Sequence, residues 1–198
     1  MDIINILILI TLSSNILLGY LIYKNNRRAM VNRGYIFVII TILFWGIGMV
    51  MYRMSNADSV LLLCKILYVF ATFTAPAFLL FSFIFPEGRF TSKKILFIIV
   101  PFFLLVNGLT LFTDKIILDA VSVLGGENII KFGRWYILYV IFFFFHFFYA
   151  YIVLFYKIRK FRGVKQAQLK YVFTGYFLAG NLAFGTNLLL PWFGMFLF

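Results

Sequence analysis

Two pairs of polar residues inside otherwise apolar runs are the first candidates for chemistry: Lys65 with Tyr68, and His146 with Tyr149. Members of each pair are three residues apart, so on a helix each pair shares a face. Asn107 and Asn181 are further amides set deep in apolar runs. A polar side chain turned toward hydrocarbon goes unsatisfied, at a cost on the order of a few kcal/mol. Turned toward a neighbouring helix, it finds a partner worth about 1 kcal/mol. Lys65, Tyr68, Asn107, His146, Tyr149 and Asn181 are therefore expected to face inward and to line one ligand pocket, with Lys65 its cation. Plainer readings stand beside this one. Lys65 lies one turn inside its run and could snorkel to the headgroups. His146, the sole histidine, could be a neutral imidazole bonded across a helix contact, with Asn107 as candidate partner, or a protonation switch. The six could also make separate interhelical bonds with no cavity between them.

No catalytic residue is expected. The chain shows no glycine-rich phosphate loop, no paired intramembrane carboxylates and no nucleophile–base pair. No metal is expected either, because His146 has no second histidine, carboxylate or thiol at ligand spacing. No cofactor is implied. Cys64 is the one cysteine and excludes an internal disulfide.

The elements that must position these residues are membrane spans. Of 198 residues, 64% are hydrophobic, 22% aromatic and 12% charged. A soluble domain is roughly half apolar and about a quarter charged, so a soluble enzyme, a disordered regulator and a secreted disulfide scaffold are excluded. A helix needs about 20 mostly apolar residues to cross a bilayer. Six runs qualify: Ile3–Tyr23, Tyr35–Tyr52, Val60–Phe85, Ile95–Thr113, Trp135–Tyr156 and Tyr171–Leu190. Met195–Phe198 resembles the first turn of a seventh span, so the chain is expected to continue into a cytoplasmic region. The expected fold is thus an all-α polytopic membrane bundle of six full spans plus the start of a seventh, over residues 1–198 as one input domain.

The net charge of +12 is a topology signal. The segments 24–33, 86–94 and 157–170 hold 13 of the 18 lysines and arginines, while five of the six acids lie on the opposite side. The positive-inside rule then places the N-terminus outside, with the basic loops near anionic headgroups; nucleic acid is not an expected partner. The first run lacks a basic n-region and a cleavage site, and reads as a retained anchor. Asp114–Arg134 is expected to form a short outer β-hairpin cap, turning at Gly125–Gly126. Small and polar stripes are expected to pack helices: Thr11, Asn15 and Gly19 on the first span, and Gly175, Ala179, Ala183 and Asn187 on the sixth. Ligand lining is the other reading of Asn15, Asn181 and Asn187. Pro76 is expected to kink the third span.

Five segments in order resemble the N-terminal seven-transmembrane region of bacterial sensor histidine kinases. They are Val31–Phe37 with Trp45 and Gly46, Phe81–Arg89, Phe132–Tyr136, Lys165–Gly175 and Asn187–Pro191. The resemblance implies a signal-input module in the bacterial cytoplasmic membrane. It would pass a small-molecule, lipid-like or bilayer signal to a cytoplasmic kinase, and would dimerise through the C-terminal region. The competing class is a six-span substrate-binding subunit of a vitamin-type transporter. That class needs both termini in the cytoplasm, which the charge distribution opposes.

Overall fold

The computed structural model describes residues 3–90, 93–122 and 128–193. Their architecture is a helical bundle with one small hairpin. Helices α1 (Ile3–Asn26), α2 (Met30–Arg53), α3 (Val60–Ile84) and α5 (Tyr136–Lys160) are long and apolar enough to cross a membrane. Helix α4 (Leu96–Phe112) is shorter, at 17 residues, and follows a 3-10 turn over Lys93–Ile95. Helix α6 (Val164–Phe184) continues into a π-helical stretch, Gly185–Leu189, and a last turn, Leu190–Trp192.

The connections are shorter than the charge runs suggest. The expected loop 157–170 is mostly helix, because α5 extends to Lys160 and α6 starts at Val164. Lysine and arginine are good helix formers, and cations suit the C-terminal end of α5. Gly163 makes the reversal at φ 64°, where a side chain would be strained. Likewise α1 and α2 run to within three residues of each other, and Asn26 Oδ1 accepts from the Arg28 and Ala29 N–H groups in the turn.

The π-helical stretch has a local cause. Pro191 has no N–H to give the Asn187 carbonyl, and its ring crowds that carbonyl. The neighbouring Leu188 carbonyl accepts from the Tyr136 hydroxyl at 3.1 Å.

Helix α3 is the axis: it packs on α2, α5, α4 and the hairpin. Of its apolar window, 61% is buried, against none of α1's. α1 rests on α2, where Leu12 sits against Gly46. α6 rests on α5.

The hairpin pairs β1 (Ile117–Val121) with β2 (Ile129–Phe132) antiparallel, as expected of the cap. Its expected turn at Gly125–Gly126 and the expected start of a seventh helix at Met195–Phe198 lie outside the described residues. Ile116, Ile117 and Ala120 are buried against the bundle. Gly133 lets the chain recross closely, since a Cβ there would strike the Asp114 and Lys115 carbonyls. Asn128 ties the hairpin to α2, its Nδ2 donating to the Tyr52 carbonyl at 2.8 Å.

Candidate functional site

The six predicted pocket residues do not converge. Lys65 is buried at the hairpin end of α3, where its Nζ donates to Asp114 Oδ1 at 2.8 Å and to the Thr113 carbonyl at 3.1 Å. A carboxylate and a helix-terminal carbonyl together hold the cation at the end of α4. Asn107 partners Thr72 rather than His146: the Thr72 hydroxyl donates to Asn107 Oδ1 at 2.8 Å, joining α3 to α4. His146 is fully buried beside Phe102, Phe142 and Phe145. Its Nδ1 lies 2.7 Å from the Phe142 carbonyl one turn back, so Nδ1 carries the proton and Nε2 is left without a partner among the described residues. Tyr149 packs edge-on against Phe83. Asn181 is exposed and donates to the Phe177 carbonyl of its own helix at 2.6 Å. Of the six, Tyr68 lines the cavity between α2, α3, α5 and α6.

The expected packing stripes divide in the same way. Thr11 and Asn15 bond carbonyls of their own helix, and Gly19 touches Ile39 of α2. The buried residue of α1 is their neighbour Leu12. On α6, a Cβ at Gly175 would meet none of the described residues, whereas Gly180 lies against the Tyr151 hydroxyl and Phe147. Ala179, Ala183 and Asn187 line the cavity instead of a helix contact.

That cavity, about 320 Å³, lies between α2, α3, α5 and α6. Val38, Ile42, Trp45, Met49 and Tyr52 form its α2 wall, at the three- and four-residue spacing of one helical face. Leu67, Tyr68, Ala71, Thr74 and Phe78 line it from α3, and Tyr139, Phe143 and Phe147 from α5. Tyr176, Ala179, Gly180 and Ala183 line it from α6, and Thr186, Asn187 and Leu188 from the π-helical stretch. Its lining is aromatic and aliphatic, of the kind and size that hold small apolar ligands.

Helix α5 frames the cavity with three tyrosine hydroxyls that donate to backbone carbonyls on its neighbours. Tyr139 reaches the Tyr68 carbonyl of α3 at 2.8 Å, Tyr136 reaches Leu188, and Tyr151 reaches the Tyr176 carbonyl of α6 at 3.0 Å. Each phenol keeps its apolar ring in the core and satisfies its polar tip.

At the basic end of the bundle, Lys157 has a role that its place in a charge run concealed. Its buried Nζ donates to the carbonyls of Ser82, Phe83 and Phe85 at 3.1, 2.7 and 2.6 Å, with Glu87 Oε2 at 3.7 Å. A helix leaves its last four carbonyls without intrahelical donors. Here the Phe81 and Ile84 carbonyls accept from the N–H groups of Phe85 and Gly88, and Lys157 takes the two between them. The sequence carries a signal for it: Phe143, Ala150, Leu154 and Lys157 continue one helical stripe.

A family model described as the N-terminal 7TM region of histidine kinase matches residues 6–197. No curated protein and no solved structure matches the chain.

Proposed function

From the premise that this chain belongs to the family of N-terminal 7TM regions of histidine kinases, we propose that it is a signal-input domain whose sensing site is the cavity between α2, α3, α5 and α6. It is a multi-pass membrane region. In the proposed topology all six long helical segments cross the bacterial cytoplasmic membrane. The hairpin end lies outside and the basic turns lie inside, in keeping with the positive-inside rule. The signal passes to the cytoplasmic kinase region of the full-length homodimeric protein.

The observation that carries this reading is that a ligand-sized cavity is walled on one side by the weakly anchored α6. Helix α6 buries only Leu169, and tyrosine hydroxyls of α5 clip one carbonyl of α6, at Tyr176, and one of the π-helical stretch that follows it, at Leu188. A ligand that fits the cavity better in one placement of α6 than in another shifts the population between them. The displacement reaches the cytoplasmic side through α6 itself, with no need for a charged relay.

The test uses the full-length kinase in vesicles, with autophosphorylation as readout. Ala183→Trp fills the cavity from the α6 side and should shift autophosphorylation severalfold in either direction. An unchanged level, in a variant that inserts and purifies as wild type does, overturns the sensing role.

A further inference from the structure

We propose that the cavity takes a single-chain, uncharged amphiphile, with its tail along the α2 wall and its hydroxyl-type head at the hairpin end beside Asn187. This names the ligand class of the sensing site proposed above and rests on that reading.

The shape argues for one hydrocarbon chain. The α2 wall runs from Val38 to Tyr52, about 21 Å at a rise of about 1.5 Å per residue. Spread over that length, a volume of about 320 Å³ makes a long, narrow channel and not a compact chamber.

Polarity fixes the direction of the chain. Among the described residues, those lining the cavity include no Lys, Arg, Asp, Glu or His. A charged head would therefore lie unpaired in an apolar site, at heavy desolvation cost. Tyr52, Thr186 and Asn187 line the hairpin end, with Thr74 midway along α3 and Tyr176 toward the basic end; of these, Asn187 carries the amide. Asn187 Nδ2 donates to the Ala183 carbonyl at 3.1 Å and to Thr186 Oγ1 at 2.9 Å. Its Oδ1 accepts nothing from the described residues and is placed to take a ligand hydroxyl.

Access is lateral. Ala179 and Ala183 line the cavity and yet are exposed. Helix α2 packs on α1 and α3, and α6 on α5. The tail can enter sideways from the bilayer along α6.

The probe is a photoreactive long-chain primary alcohol added to the full-length protein in vesicles. Labelling is expected on α2 and α6 wall residues, with protection by excess hexadecanol. Ala183→Trp should lower labelling at least tenfold, and Asn187→Leu by roughly tenfold, the equivalent of one lost hydrogen bond. Competition by a monoacylglycerol as well as by the alcohol points to a membrane-derived ligand, and by the alcohol alone to a free one; both support the site. Wild-type labelling in Ala183→Trp overturns the proposal, as does equal competition by stearate or hexadecyltrimethylammonium. Should Ala183→Trp fail to insert, Thr74→Leu, which narrows the middle of the cavity, is read by the same criterion. Protected labelling with autophosphorylation unmoved by Ala183→Trp leaves the ligand site standing and removes its sensing role. Altered autophosphorylation without labelling does the reverse.

Discussion

A buried ammonium that spends its donors on backbone carbonyls is costly to remove, because the carbonyls lose their partner without regaining water. Lys157 is such a group, joining α5 to the end of α3. Lys157→Met is expected to destabilise the purified protein by about 3 kcal/mol, seen as a lowered thermal midpoint in detergent. Glu87→Gln should cost about 1 kcal/mol or less, since the carboxylate is partly exposed and 3.7 Å from Nζ. An equal loss in both variants would show that the ion pair, and not the carbonyl cap, holds this end. The residue scale also explains why the polar cluster did not assemble. Asn107, His146 and Asn181 of that cluster each bond a carbonyl four residues back on their own helix. A group satisfied locally in this way is free to face any direction.

Spacing alone ranks Gly175, Ala179 and Ala183 together, although they meet different surroundings. A Cβ at Gly175 would meet none of the described residues, whereas Gly180 holds α6 against Tyr151 and Phe147. Gly175→Leu is expected to change stability by no more than about 0.5 kcal/mol. Gly180→Leu pushes α6 off α5, breaks the Tyr151 bond to the Tyr176 carbonyl, and should cost about 1–3 kcal/mol. Thermal midpoints of the two purified variants, measured side by side, check this; equal losses would place the α5–α6 contact elsewhere. The hairpin shows how an element outside the spans becomes part of the core: Ile116 and Ile117 are both fully buried, and the register shifts between Ile117 and Asp119.

For the whole molecule, the proposed orientation is open to labelling in intact cells. In a Cys64→Ala background, Lys131→Cys in β2 should react with an impermeant thiol reagent, while Arg28→Cys and Arg162→Cys should not. Labelling of both turn positions from outside, with protection of the hairpin position, would invert the topology and detach the cavity's Asn187 end from the cell exterior.

Composition and apolar run length were enough to read a helical membrane protein, because hydrocarbon admits only a backbone that satisfies itself. The hairpin was legible from its apolar stretches. The ordered motifs were enough to reach the family, which the match over residues 6–197 shows. Helix ends were less legible at 157–170, because good helix formers that are also charged look like a loop in a hydropathy count. What only the tertiary structure decided is which polar groups meet. Lys65 faces Asp114, 49 positions away, and Asn107 faces Thr72, 35 positions away. The cavity too arises from small residues on α6 left unfilled by large ones on α2, α3 and α5, a mismatch between helices that no single run of sequence contains.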